Sequence, residues 1–365
     1  MNSIGRHLQV TVFGESHNHK IGIVIDGLPA GLSLDFDLIK QELSKRRPKG
    51  DVSTPRVEND EFEVISGYYQ NHTTGGPVVF LVYNSNTKSE DYEATTFIPR
   101  PGHADYPAYV KYQGFHDRRG GGMFSGRLTV VLVIAGAIAK QMLNLKGIQI
   151  ASHLKRIGQA EDRPFNPLGE PLEHLKALQL MDFPVNDLGS EETMKAQIRF
   201  HKEQNDSVGG SIESMIQGVM PGIGEPLFRS VESTFSQYLF SIPAIKGVSF
   251  GDGFDFQMQS GSQSSDGYIL EEGIIKTIGN HNGGILGGIT TGMPIRIQTV
   301  FKPTSSIGIV QPSVDLLRHE AIALEVKGRH DPAIVHRGIH VVNAVLYLAL
   351  MDLLMDTYPK SWFLP

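Results

Sequence analysis

Four short landmarks occur twice along the 365-residue chain, in the same order. Phe13-Gly14-Glu15 is matched by Phe250-Gly251-Asp252, and Thr73-Thr74-Gly75-Gly76-Pro77-Val78 by Thr290-Thr291-Gly292-Met293-Pro294-Ile295. His116-Asp117 is matched by His330-Asp331, and Val130-Val131, ahead of a helical pattern, by Val341-Val342. An ordered set of this kind points to an ancient duplication, and so to an α+β fold of two similar sheet-plus-helix units facing one another. Convergent turn chemistry is the competing explanation, since T-T-G-x-P is a natural way to leave a loop and enter a strand.

Local patterns supply the elements that such a fold needs. Val10-Thr11-Val12-Phe13 and Gly22-Ile23-Val24-Ile25 are β-branched runs bounded by glycine, and they read as strands flanking Gly14-Glu15-Ser16-His17. His17 is thereby placed on a strand-connecting loop. Asp35 and Asp37 stand ahead of Leu38, Ile39 and Leu43, so a capped helix is expected to run to Arg47 and stop at Pro48. Residues 78–82 read as a buried strand, residues 135–145 as part of a long helix rich in small residues, and residues 163–186 as a Pro- and Leu-rich connector.

Composition narrows the partners. With 40% hydrophobic and 20% charged residues and a mean hydropathy of −0.14, the chain has the make-up of a soluble globular protein. A net charge of −6 gives no global attraction for nucleic acid or an anionic membrane, although Lys45-Arg46-Arg47 could hold small anions locally. There is no cysteine, which excludes a disulfide framework, a thiolate metal site and a cysteine nucleophile, and fits a reducing compartment. The first ten residues lack the apolar centre of a secretory signal, so a cytoplasmic location is expected. Residues 129–145 and 341–355 are apolar, but each falls short of about 20 uninterrupted apolar residues. They contain Lys140 and Asp352 respectively, and buried helices are expected there rather than membrane spans.

The chemistry-bearing residues gather in loop-like segments. Arg100-Pro101-Gly102-His103-Ala104-Asp105-Tyr106 and Asp117-Arg118-Arg119-Gly120-Gly121-Gly122 combine planar cations, an imidazole and glycines that let backbone N–H groups approach an anion. A Gly-rich surface turn with solvated arginines would carry the same letters. His103, beside Arg100 and Asp105, is a candidate general acid. His17 is either a pocket-rim imidazole or a histidine that satisfies a backbone carbonyl. Lys302-Pro303-Thr304-Ser305-Ser306 offers an ammonium and hydroxyls to a phosphate, without the glycine spacing of a Walker loop. Gly283-Gly284-Ile285-Leu286-Gly287-Gly288 suits close packing against a flat ring or another element. Arg329 and Asp331, two residues apart, would point to one side of an extended backbone. No metal is expected, because the loop histidines lack ligand spacing and arginines nearby would repel a dication. No G-x-S-x-G elbow marks a serine hydrolase.

Taken together, Gly14-Glu15-Ser16-His17, Arg46-Arg47-Pro48, residues 100–106, Arg119-Gly120-Gly121-Gly122 and residues 135–140, 284–288, 302–306 and 328–332 resemble the chorismate synthase family, in its order and over nearly the whole chain. The resemblance implies a single domain over residues 1–365. Its fold would be a β-α-β sandwich of two antiparallel four-stranded sheets with surrounding helices, assembled as a homotetramer. The implied reaction is a 1,4-elimination of phosphate from 5-enolpyruvylshikimate 3-phosphate to give chorismate, using reduced FMN that is not consumed. Such a site must neutralise a polyanion and exclude water. By the same resemblance His17 would protonate or stabilise reduced flavin, His103 would assist the departing phosphate, and Asp331 would relay the flavin N5 proton in hydrogen abstraction. Ser16, Arg46, Arg100, Arg127 and Arg329 would contact substrate. FMN would meet Met123, Phe124, Ser125, Pro243, Ala244, Gly287, Lys302, Pro303, Thr304, Ser305, Ser306 and Arg329. In forms that reduce their own flavin, NADPH would be the reductant and Arg46 would contact it.

Several positions depart from the family pattern. Asn18 stands in place of glycine after the first histidine, and Met123 and Phe124 stand where the family writes arginine and serine. Asp51 lies in a turn that usually carries an arginine. Losing a charged hydrogen bond without replacement costs about 1.5–3 kcal/mol. The alternative function is accordingly a non-catalytic or substrate-shifted paralogue that binds flavin or a phosphometabolite.

Overall fold

The computed structural model describes residues 2–50, 52–53, 59–84, 97–326 and 331–365. β1 (Ser3–Ile4), β2 (Gln9–Phe13), β3 (Lys20–Asp26), β4 (Phe62–Ser66) and β5 (Val78–Tyr83) form an antiparallel sheet in the order β1-β2-β3-β5-β4. Its register sets Ile21, Ile23 and Ile25 opposite Val82, Phe80 and Val78, all buried. A slip of one residue would turn this whole apolar set outward, so burial fixes the pairing.

A second antiparallel sheet contains β6 (Gln149–Ile157), β7 (Ala160–Glu161), β8 (Gly210–Gln217), β9 (Ile245–Phe250) and β10 (Ile295–Phe301), in the order β9-β10-β8-β6-β7. Each sheet has five strands where four were expected. The difference is a two-residue edge strand in each, β1 and β7, formed where the chain doubles back on its neighbour.

The first helix, α1 (Phe36–Lys45), begins where the Asp35 carboxylate accepts from Leu38 N at 2.8 Å. It ends two residues before the expected Arg47, with Arg46 as its C-cap. Beyond α2 (Asp105–Lys111), α3 (Thr129–Asn144) packs on β2, β3 and β5. The connector expected over residues 163–186 holds a helix, α4 (Leu172–Leu180), because Leu175 and Leu178 bury themselves against Phe165 and Met215. Next in the chain come α5 (Leu188–Glu203), α6 (Val231–Phe240) and α7 (Val335–Thr357), the last packed on β6, β8 and α3. The α3–α7 pair therefore lies between the sheets. Gly136 permits this crossing, since a Cβ there would come 2.4 Å from Ala344 Cβ. Residues of both sheets and both helices share one hydrophobic core. Two segments, Gly126–Asn144 and Val335–Thr357, are long and apolar enough to cross a membrane, but 72% and 89% of their most apolar windows are buried inside this core.

The repeated landmarks coincide with repeated hydrogen bonds. Thr73 Oγ1 donates to Pro29 O at 2.6 Å and accepts from Leu32 N at 2.9 Å. Thr290 Oγ1 donates to Met220 O at 2.7 Å and accepts from Ile223 N at 2.9 Å. Gly31 and Gly222, at φ 87° and 94°, donate to the carbonyls of those same threonines at 2.8 and 2.9 Å. Thr74 and Thr291 donate to Gly67 O and Gly284 O at 3.0 and 2.9 Å.

Candidate active site

A cleft of about 870 Å³ opens between the end of α1, the loop leading into α2, the Gly120 turn, the segment that leaves β10 and the first turns of α7. Its volume suits a small-molecule ligand. Among the described residues six cationic side chains line it, Arg46, Arg47, Arg127, Lys246, Lys302 and Arg337, against two carboxylates, Asp60 and Asp331. In a chain of net charge −6 this gathers positive potential on one concave surface, where it is focused on an anion.

Asp60 organises the arginines. Its side chain is 1% exposed and pairs with Arg127 Nη1, with Arg46 Nη1 at 3.4 Å and with Arg47 Nε at 3.7 Å. One buried carboxylate among three guanidiniums keeps them close together without cancelling their charge. Arg127 also donates Nε to Asn84 Oδ1 at 2.9 Å and Nη2 to Tyr83 O at 3.0 Å, which fixes it to the end of β5.

His103 belongs to a second network. The Asp105 carboxylate takes His103 Nδ1–H at 2.6 Å, Arg100 Nε at 2.8 Å and Arg100 Nη2 at 2.9 Å. Burial pushes the Asp105 carboxyl up, but the hydrogen bonds from His103 and Arg100 outweigh it and hold the group well below the usual carboxylate range. An ionised Asp105 selects the Nδ1–H tautomer, leaving Nε2 on the ring edge that faces Gly121. Arg100 Nη1 donates to Ser306 Oγ at 3.3 Å, and Lys302 Nζ donates to Gly102 O and, at 2.9 Å, to Ser305 Oγ. The imidazole loop and residues 302–306 are thus tied together. Burial and the neighbouring Lys246 lower the proton affinity of Lys302, a strain that a bound anion would relieve. Thr304 Oγ1 is buried with no hydrogen-bond partner among the described residues.

His17 stands one layer deeper. Ser16 and His17 are 3% and 8% exposed, Ser16 Oγ lies 3.0 Å from His17 Nδ1, and the same hydroxyl donates to Arg119 O at 3.1 Å. A Cβ on Gly120, which has φ 59°, would fall 2.0 Å from His17 Cε1, so glycine is required for the turn to close over the ring.

A family profile described as chorismate synthase matches residues 8–355. The chain belongs to the chorismate synthase family. A chorismate synthase of Dehalococcoides mccartyi is 40% identical over 353 residues, 96% of each chain. One from Methanococcoides burtonii is 42% identical over 96% of this chain and 95% of its own, and one from Thermococcus gammatolerans is 42% identical over 98% of each. A solved structure titled as a crystal structure of chorismate synthase superposes with a TM-score of 0.75 at 27% identity, covering 97% of this chain and 93% of that one.

Among the residues singled out by resemblance to chorismate synthases, Arg46, His103, Met123, Phe124, Ser125, Arg127, Pro243, Ala244, residues 302–306 and Asp331 line the cleft. Ser16, His17 and Arg100 stand behind that lining, and Gly287 lies away from it, in the turn between the short strands Ile285–Leu286 and Ile289–Thr290. Arg329 and Asp51 lie outside the described residues. Asn18 donates to the Glu15 carboxylate and so closes its own turn. The sequence reading missed Asp60 and Arg337, which sit in no motif. A lone carboxylate after an arginine-rich helix end is a signal only once folding brings Arg127 to it.

Proposed function

We propose that the cleft binds 5-enolpyruvylshikimate 3-phosphate and eliminates phosphate to give chorismate, the carbon–oxygen lyase step of the shikimate pathway that leads to aromatic amino acids. The observation that carries this reading is the cluster of Arg46, Arg47, Arg127, Lys246 and Lys302 gathered with a carboxylate-paired histidine in one cleft. The substrate carries two carboxylates and a phosphate, and fixed cations in a partly dry cleft meet that charge without reorganisation.

Reduced FMN, when bound, would lend electron density transiently to the substrate ring. The residues fit it. Lys302 with the hydroxyls of Thr304, Ser305 and Ser306 suits a phosphate, and the unpartnered Thr304 Oγ1 supports such a ligand. Pro243, Ala244, Met123, Phe124 and Ser125 would line the remainder of its site.

The chain's own residues divide the work. As the ring C–O bond breaks, His103 Nε2 delivers a proton to the departing phosphate, while Asp105 holds the opposite ring nitrogen and fixes the ring's orientation. Asp331 relays away the proton lost when hydrogen is abstracted from the other ring carbon. Arg46, Arg127 and Arg329 hold the anionic groups of the substrate, while Arg100 acts on the chemistry by holding Asp105. His17 and Ser16 support the flavin side from behind Gly120. The wider reading is a single domain, a duplicated β-α-β sandwich, a cytoplasmic homotetramer without nucleic-acid or membrane partner, and NADPH reaching Arg46 if the flavin is reduced in place.

The test is an anaerobic assay of purified protein with chemically reduced FMN and 5-enolpyruvylshikimate 3-phosphate, following chorismate absorbance and phosphate release together. Equal amounts of both products are expected. Tight FMN binding by folded protein with neither product would instead identify a non-catalytic binding protein.

A further inference from the structure

Arg337, in the first turn of α7, joins two parts of the cleft. Its Nη1 donates to Asp331 Oδ2 at 2.7 Å, and its Nε donates to the backbone carbonyl of Arg46 at 3.1 Å. Both side chains of the ion pair are largely shielded, at 23% and 17% exposure. Arg46 is the C-cap of α1, and its own guanidinium lies 3.4 Å from Asp60, the carboxylate that also holds Arg127. A continuous chain of contacts thus runs Asp331–Arg337–Arg46–Asp60–Arg127.

The fork geometry matters here. A guanidinium presents Nε and Nη1 in fixed relation, so one side chain can set a carboxylate and a carbonyl at the same time. A lysine has a single ammonium on a flexible stem and cannot impose that relation. Asp331 lies just ahead of α7 and needs such a hold if it is to relay a proton in one orientation.

We infer that Arg337 is a positioning residue of the reaction, orienting the Asp331 carboxylate and tying it to the Arg46 end of the cleft. This rests on the reading of Asp331 as the proton relay of the reaction. Arg337 acts through Asp331 and needs no contact with substrate, so its loss should appear in kcat rather than in KM.

The experiment is a double-mutant cycle read by single-turnover and steady-state chorismate formation, with Arg337→Met, Arg337→Lys, Asp331→Asn and the double variants. Arg337→Met is expected to lower kcat about 10- to 100-fold, as misplacement of a reacting group does, with KM changed less than about threefold. Arg337→Lys keeps the charge and recovers part of that loss. Within the Asp331→Asn background, Arg337→Met should change the rate less than about twofold, because the group it positions is gone. Equal losses in both backgrounds would overturn the inference, as would a raised KM with kcat preserved, which marks a direct substrate ligand. If Arg337→Met does not fold, Arg337→Lys completes the same cycle. An unimpaired Asp331→Asn would remove the proton-relay reading and this inference together. Impaired Asp331→Asn with additive losses would remove this inference alone.

Discussion

The two halves of the molecule place the same threonine corner on a matching pair of short strands, Tyr68–Tyr69 with His72–Thr73 and Ile285–Leu286 with Ile289–Thr290, yet the loops that leave their matching Phe-Gly landmarks diverge. After β2, Gly14 leads to Ser16 and His17, which are buried under the Gly120 turn at the edge of the cleft. After β9, Gly251 leads to Asp252, which pairs with His281 at 2.7 Å and Arg296 at 3.7 Å outside the cleft lining. The corner is kept because buried backbone groups must be paired wherever this turn occurs. The loops differ because sheet pairing ends with the strands and places no demand on the connecting residues, which leaves one half able to carry imidazole chemistry and the other to carry a local ion pair.

The largest effect should come from removing chemistry while sparing the scaffold. His103→Ala is expected to lower kcat about 100-fold or more, as loss of a general acid does. Asp105 keeps its paired hydrogen bonds from Arg100 in that variant, so the thermal midpoint should move by no more than about 2 °C. Steady-state kinetics together with a melting curve decide it. Full turnover in His103→Ala would take the proton from some other donor and would remove the contrast between corner and loop.

The converse experiment removes scaffold and spares chemistry. Thr73→Val and Thr290→Val each leave a buried amide, and the carbonyl paired with the lost hydroxyl, without a side-chain partner, at an expected cost of about 1–3 kcal/mol. If the halves are truly equivalent, urea unfolding should give the two losses within about 0.5 kcal/mol of one another, with activity per folded molecule unchanged. A large loss at one threonine and none at the other would show that the resemblance of the corners is only geometric.

This division also explains what could be read in advance. The start of α1 was visible because Asp35 is a local cap and Pro48 a local stop, and β2, β3 and β5 were visible because their β-branched runs need only their own residues. Thr73 and Thr290 were legible as repeats, whereas their partners, Pro29 to Leu32 and Met220 to Ile223, were not, since that match depends on hydrogen bonds across 40 to 70 residues of chain. The same limit hid α4, whose apolar face has meaning only against Phe165 and Met215. It also hid Asp60 and Arg337, whose importance comes from side chains on other elements. Motif reading located the histidines, while the second layer that holds them required the fold.

The smallest effect separates the two histidine–carboxylate pairs by pH. Burial raises both the Asp105 and Asp252 carboxyls, but hydrogen bonds from His103 and Arg100 in one case, and from Gln259 and His281 in the other, pull each below its ordinary range. A carboxyl depressed in the folded state contributes stability that is present above its unfolded pKa, about 3.9, and is lost as pH falls through the folded value. The side chains are 25% and 19% exposed, so each pair is worth about 1 kcal/mol after discounting for solvent. Asp105→Asn and Asp252→Asn should each melt lower than the parent at pH 7, and the gap should narrow as pH is taken below 4. Melting curves that stay parallel down to pH 3 would show that neither carboxylate owes stability to its ionised form. Activity then distinguishes the halves: Asp105→Asn should slow turnover, because it loosens the His103 tautomer, whereas Asp252→Asn should leave turnover unchanged. Equal slowing by both would mean that the second-half loop reaches the cleft chemistry after all, through Arg296 and β10, whose far end leads into residues 302–306.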